Sequence, residues 1–151
     1  VRQELVHGTA VALNGNGILF VGPSGSGKSD LALRLIDRGS VLVSDDVVIL
    51  SGTGNGLTVG TAPNIEGKIE VRGIGICTVQ YVPSALLKLV VALSNKIERL
   101  PTENRTIELL GVNLPLIELA PFEISAAPKV EIALRHVVDA TAGAMPQVQR
   151  K

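Results

Sequence analysis

Apolar residues along the chain fall into short runs punctuated by glycine and proline. Thr9–Leu13 (TAVAL) and Ile18–Val21 (ILFV) are rich in aliphatic and β-branched residues and read as strands. The intervening Asn14-Gly15-Asn16-Gly17 signals a hairpin, because Asn and Gly tolerate the positive φ of tight turns. With Gly15 and Asn16 as a two-residue loop, 14 faces 17, so facing numbers sum to 31 and position 7 faces position 24. A Gly/Ser loop, 22–27, leads into a predicted helix from Lys28 to Arg38, with Leu31, Leu35 and Ile36 on one face and Gly39 just past its end. Val41–Val43 and Val47–Leu50 read as strands flanking Ser44-Asp45-Asp46.

Residues 51–56 (SGTGNG) read as a turn, Leu57–Thr61 alternates weakly, and Ala62-Pro63-Asn64 interrupts the pattern. The run 65–76 (IEGKIEVRGIGI) does not decide between helix and strand. Leu86–Leu93 reads as a buried strand. Ile107–Leu110 and Leu116–Leu119 read as strands around a Gly111–Pro115 turn. A second helix is predicted over Ser125–Ala140, with Ser125 as cap and Pro128 in the first turn. Val130, Leu134 and Val137 share its apolar face, and Glu131 and Arg135 are spaced for an i,i+4 pair. One early βαβ unit followed by many strands predicts an α/β domain built on a mixed sheet.

The 151 residues suit a single domain, and 46% hydrophobic content excludes a disordered chain. Aromatics make up only 2%, namely Phe20, Tyr81 and Phe122, so the core must be aliphatic. A formal net charge of zero argues against a nucleic-acid or membrane-surface binder. Cys77 is the lone cysteine, most simply a buried small apolar residue, which excludes an intramolecular disulfide and favours a reducing, cytoplasmic setting. The longest apolar stretch, Leu86–Leu93, contains Lys88 and falls far short of the ~20 residues that span a bilayer.

Gly22–Ser29 reads GPSGSGKS, which satisfies the phosphate-binding pattern GxxxxGK[ST] between an apolar strand and an amphipathic helix. Four fixed positions match by accident in about one chain of this length in a hundred. The backbone of Gly22, Pro23, Ser24, Gly25, Ser26 and Gly27 would turn its N–H groups onto phosphate oxygens, aided by the helix N-terminus. Lys28 supplies a point charge to the β- and γ-phosphates, and Ser29 offers a hydroxyl to Mg²⁺. A right-handed crossover would make the Val41–Val43 strand run parallel to Ile18–Val21, bringing Asp45 and Asp46 to the same sheet edge. Alternation along a strand points the two acids to opposite faces, so one of them faces the phosphates. His7, placed by the hairpin arithmetic near the loop, can assist a phosphate or hold a carboxylate; an exposed histidine near a chain end is the plain alternative.

These residues resemble a known family, the bacterial HPr kinase/phosphorylase, in its C-terminal catalytic domain. The resemblance rests on His7-Gly8, the GPSGSGKS loop, LVSDD at 42–46 and, most diagnostic, IEVRGIGI at 69–76. It spans residue 5 to about 119. It implies an α/β fold, a P-loop-containing mixed sheet like the HPr kinase and phosphoenolpyruvate carboxykinase core, with residues 1–151 as one catalytic domain and without the family's N-terminal domain. The chain is then a fragment or a short form. The implied activity is ATP- and Mg²⁺-dependent phosphorylation of a serine on the phosphocarrier HPr or an HPr-like, nitrogen-related carrier. In reverse, phosphate would accept the phosphoryl group and pyrophosphate would leave. Asp45, first of the acid pair, is implied as general base; His7, Lys28 and Arg99 match the other active positions. Ser29 and Glu70 match the Mg²⁺ positions, with Asp46 as a further metal-binding candidate. A homo-hexamer is implied as well. From Pro121 onward the likeness weakens: where relatives carry Pro-Gly-Arg-Asn, linked to dephosphorylation, this chain reads PFEISAAPKVEIA over 121–133.

Rival readings remain. A small-molecule P-loop kinase would need an Arg-rich lid, and no such cluster follows the second strand. Asn95-Lys96-Ile97-Glu98 approaches a guanine-specificity pattern but has Glu where Asp is needed. A non-catalytic ATP sensor would retain the loop and transfer nothing.

Overall fold

The structure, a computed structural model, describes residues 2–95 and 105–142, the side chains of 141 and 142 excepted. Its strands are β1 (Gln3–His7), β2 (Thr9–Leu13), β3 (Asn16–Val21), β4 (Val41–Ser44), β5 (Val47–Thr53) and β6 (Gly56–Thr61). These are followed by β7 (Lys68–Val71), β8 (Gly75–Thr78), β9 (Ser84–Leu93), β10 (Arg105–Leu109) and β11 (Val112–Leu119). Two helices, α1 (Lys28–Asp37) and α2 (Ala126–Ala142), complete the described chain.

Nine strands form one mixed sheet in the order β1-β5-β6-β9-β3-β2-β4, with β11 pairing β9 and β10 beyond it. β9 organises the whole. Its one edge pairs β3 in parallel along Leu86–Ala92. The other edge is divided between β6 at Ser84–Leu86, antiparallel, and β11 at Val90–Leu93, parallel. Strand alternation sorts the apolar side chains into two cores. Val11, Ile18, Phe20, Leu42, Leu89 and Val91 meet Leu31 and Leu35 of α1 and Val130 and Leu134 of α2. Ala10, Ala12, Leu19, Val43 and Val90 point the other way, onto Val48, Leu50, Leu57 and Val59 of the β5–β6 limb.

The mixed α/β sheet expected from the sequence is present. The β4 strand runs in the same direction as β3, although β2 lies between them, antiparallel to both. Both therefore end at one sheet edge. The hairpin register differs from expectation: Thr9 faces Phe20 and Leu13 faces Asn16. Asn14 (φ 53°) and Gly15 (φ 81°) form the turn. The first Asn-Gly pair supplies both positive φ values that such a turn needs, leaving Asn16 to begin the strand. β1 was not anticipated, because its exposed residues carry no apolar pattern; it joins as an edge strand on β5.

Two expected turns are shorter than the glycine and proline content suggests. β5 runs on through Ser51–Thr53. β11 begins at Val112, next to Leu110 and Gly111 with positive φ. Pro115 is tolerated because β11 pairs β9 only from Leu116 onward. The undecided run resolves as the hairpin β7–β8, a separate two-stranded sheet. Cys77 lies there half-buried rather than buried, since so small a sheet covers only one face. Glu131 does not use its i,i+4 neighbour: Arg38 Nε and Nη2 donate to its two oxygens at 3.0 and 2.8 Å. The fork geometry of the guanidinium accounts for that preference.

Candidate active site

The loop 22–27 leaves the end of β3 and enters α1 with Gly27 in the left-handed region (φ 99°) and no side-chain cap. The first helical N–H groups are thereby left for a ligand. Side chains are excluded from the loop by contact: a Cβ on Gly22 would lie 2.8 Å from Ser26 Oγ, and one on Gly27 2.9 Å from Phe122 Cζ. Lys28 Nζ lies across this cradle and donates to the carbonyls of Gly22 and Pro23 at 2.7 and 3.0 Å. Burial lowers its pKa, while Asp46 and then Asp45 pull it back up. A buried ammonium held on two carbonyls of an open loop suits an anion that would take their place. Ser26 Oγ is buried and without a hydrogen-bonding partner among the described residues.

The acid pair is split by its backbone. Asp46 has φ 73°, a conformation that short polar side chains tolerate best. The turn is closed by Val47 N–H donating to the Asp45 carbonyl at 2.8 Å, and Gly8 N–H donates to the Asp46 carbonyl at 3.0 Å. Asp45 is sent inward and is buried. Its Oδ1 accepts from Ser29 Oγ at 2.6 Å and from Thr9 Oγ1 at 2.9 Å, and its Oδ2 accepts from Glu70 N–H at 2.9 Å. Asp46 is sent outward, its side chain 72% exposed, with Oδ1 3.7 Å from His7 Nδ1.

A cavity of about 310 Å³ gathers most of the expected residues: His7, Ser24, Gly25, Gly27, Lys28, Ser29, Asp46 and Glu70 all line it. His7 arrives by a route other than the hairpin arithmetic, on β1, paired opposite Val47. Glu70 and Arg72 both line the cavity. Gly22 closes the loop at the β3 end, whereas Pro23 and Ser26 line a second, adjoining cavity. Arg99 lies outside the described residues, as do Lys96–Glu98. Among the described residues no group of three or more His, Cys, Asp or Glu is close enough to cage a metal ion. That donor set still suits Mg²⁺, which keeps waters and binds through one or two protein oxygens plus phosphates. Thr9 and Phe122 were not singled out from the sequence. A threonine inside an apolar strand was the available signal for the first; nothing marked the second.

Over residues 1–141 the chain matches the HPr Serine kinase C-terminal domain family. It belongs to that family. It is similar to the HPr kinase/phosphorylase of Bordetella pertussis, 37% identical over 88% of this chain and 48% of that protein. The HPr kinase/phosphorylase of Chlorobaculum tepidum is 36% identical over 93% of this chain and 46% of its own. The solved structure of the Hpr(Ser) kinase/phosphatase from Coxiella burnetii matches with a TM-score of 0.80 at 30% identity, covering 93% of this chain and 99% of that one. The chain spans about half the length of the two HPr kinase/phosphorylases. As a member of the HPr kinase family it shares their mixed α/β fold. No helix among its described residues is long and apolar enough to cross a membrane.

Proposed function

We propose that the chain transfers the γ-phosphoryl group of ATP to a serine hydroxyl of HPr or an HPr-like carrier, in the cytoplasm and with Mg²⁺. The observation that carries this reading is that Lys28, Ser29 and an exposed carboxylate, Asp46, line one open cavity. Phosphoryl transfer asks for charge neutralisation, in-line placement and a proton acceptor. The loop amides and Lys28 meet the first need, and Mg²⁺ bound near Ser29 and Glu70 would neutralise further phosphate charge.

For the proton, geometry favours Asp46 over Asp45. Both oxygens of Asp45 already accept hydrogen bonds from protein donors, whereas Asp46 is exposed on the cavity with His7 beside it. In this reading the serine oxygen bonds to the γ-phosphorus, the bond to the β-bridging oxygen breaks, ADP leaves and the serine proton passes to Asp46. Asp45 acts on Ser29 instead, fixing its hydroxyl at the metal side. In the reverse direction phosphate attacks phosphoserine, pyrophosphate leaves, and the Asp46 proton returns to the serine oxygen. Ile74 and Ile76 are 77% and 68% exposed, and Ile76 pairs opposite the cavity residue Glu70. An apolar rim at an open mouth suits a protein substrate better than a small metabolite. Arg99 and a hexameric assembly remain part of the proposal through the family.

The deciding assay incubates the protein with Mg²⁺, labelled ATP and a panel of HPr-like phosphocarriers. Label on a carrier serine is expected, and its release as pyrophosphate when phosphate is added tests the reverse reaction. Label on no carrier would overturn the reading, and identical behaviour with a non-hydrolysable ATP analogue would point to a sensor.

A further inference from the structure

A second cavity, of about 370 Å³, adjoins the loop 22–27. Its size falls in the range of small-molecule sites. Residues 23–26 of the loop line it together with Leu93, Asn95, Pro121 and Phe122. Phe122 borders both cavities. The other aromatics are committed elsewhere: Phe20 is fully buried, and Tyr81 packs beside Gly67.

Phe122 is 56% exposed, which costs an aromatic side chain its usual burial, yet it is anchored. Its ring rests against Gly27. Arg34 of α1 holds the carbonyls on either side of it, Nη2 donating to Pro121 O and Nη1 to Glu123 O. A fixed, half-open aromatic face beside a polyphosphate cradle is the arrangement a nucleobase stacks on. Asn95 adds an amide with two donors and an acceptor for a base edge or sugar hydroxyl.

We propose that Phe122 is the stacking platform of a nucleoside subsite in this second cavity. The polyphosphate of a nucleoside triphosphate then lies in the first cavity, and its base lies against the ring. The inference rests on the phosphoryl-transfer reading but concerns only how the non-phosphate part of the nucleotide is held.

The test measures binding of Mg-ATP and of magnesium pyrophosphate, by titration calorimetry, to the wild type, Phe122→Ala and Phe122→Trp. Loss of the ring is expected to weaken ATP about tenfold and to leave pyrophosphate within about twofold, because only ATP carries a base to stack. The chain has no tryptophan, so Phe122→Trp installs a single reporter. It should keep ATP affinity and show fluorescence quenching by ATP and not by pyrophosphate. Equal losses for both ligands in Phe122→Ala would overturn the proposal, since the ring would then only shape the loop. So would an unchanged ATP affinity, or a wild type that binds pyrophosphate and not ATP. A wild type that binds neither ligand would remove the phosphoryl-transfer reading itself and the subsite with it.

Discussion

Ser29 Oγ donates to Asp45 Oδ1 across 2.6 Å, joining the start of α1 to the end of β4. Every hydrogen bond that Asp45 accepts comes from a donor, and one of them, Glu70 N–H, cannot reverse. Asp45→Asn therefore keeps its carbonyl toward Glu70 and presents its NH₂ to Ser29 and Thr9, which must turn to accept. One of the two Ser29 lone pairs is then taken by the amide, and the hydroxyl proton must turn away from position 45 toward the metal side. The expected outcome is a folded protein less stable by about 1–3 kcal/mol, with weaker Mg²⁺-dependent ATP binding. Asp46→Asn should keep both melting temperature and ATP affinity but lose phosphoryl transfer by roughly 10²–10⁴-fold, the worth of a positioned base. Thermal melts, ATP titration and labelled transfer on both variants separate the roles. The reverse pattern, with Asp45→Asn alone inactive yet normally stable and ATP-binding, would return the base to Asp45.

Lys28 carries a pH signature. Burial holds its pKa below 10.5, opposed by Asp46 and then Asp45. Between the lowered value and 10.5 the unfolded chain binds more protons than the folded chain, so this group's contribution to stability rises with pH across that window. In the ligand-free protein, the stability of the wild type relative to Lys28→Met should climb as pH rises through that window toward 10.5. Taking the difference cancels the other titrating groups. Pyrophosphate should flatten the climb, because its charge raises the Lys28 pKa again. Denaturant unfolding at a series of pH values, with and without pyrophosphate, measures it; a flat ligand-free difference contradicts the burial argument.

Gly27 is constrained twice over. Its φ of 99° is open to glycine, and a Cβ there would lie 2.9 Å from Phe122 Cζ. Gly27→Ala should cost about 1–2 kcal/mol from the backbone alone, with a further loss from the collision. Removing the ring relieves the second part and not the first. The double variant Gly27→Ala/Phe122→Ala should therefore lose less stability than the two single losses added together. Strict additivity in chemical unfolding would mean that the ring moves aside freely.

Sequence patterning located the loop, both helices and most of the strands, because each carries a local signal: glycines at fixed offsets, a 3.6-residue period or a β-branched run. It missed what long-range pairing decides. β1 sets only Val6 against a core and exists because β5 offers an edge. Glu131 prefers the fork of Arg38, ninety-three positions away, to its helical neighbour. At the site, spacing brought Asp45 and Asp46 to the sheet edge, but which one turns inward depends on the positive φ at Asp46. Phe122 was hidden for the same reason: its position beside Gly27 arises only when the chain returns from β11 to α2.

That return segment hangs on Arg34. Its Nε donates to Asp30 Oδ2 at 3.1 Å, its Nη1 to Glu123 O at 3.3 Å, and its Nη2 to Pro121 O. One planar group thus ties the first turn of α1 to the backbone on both sides of Phe122, which a lysine ammonium, a point donor on a flexible stem, cannot reproduce. Arg34→Ala and Arg34→Lys should both loosen the segment while leaving the two cores intact. The amides of Glu123 and Ala126, which donate locally to Ala120 O and Glu123 O, report on it. Hydrogen exchange at those amides should quicken on the order of tenfold, the effect of losing a charged hydrogen bond. Exchange in β3 and β9, walled into the cores, should stay unchanged. Quickening at all sites alike would mean that Arg34 stabilises the whole fold, and protection by the lysine variant would show that charge alone suffices.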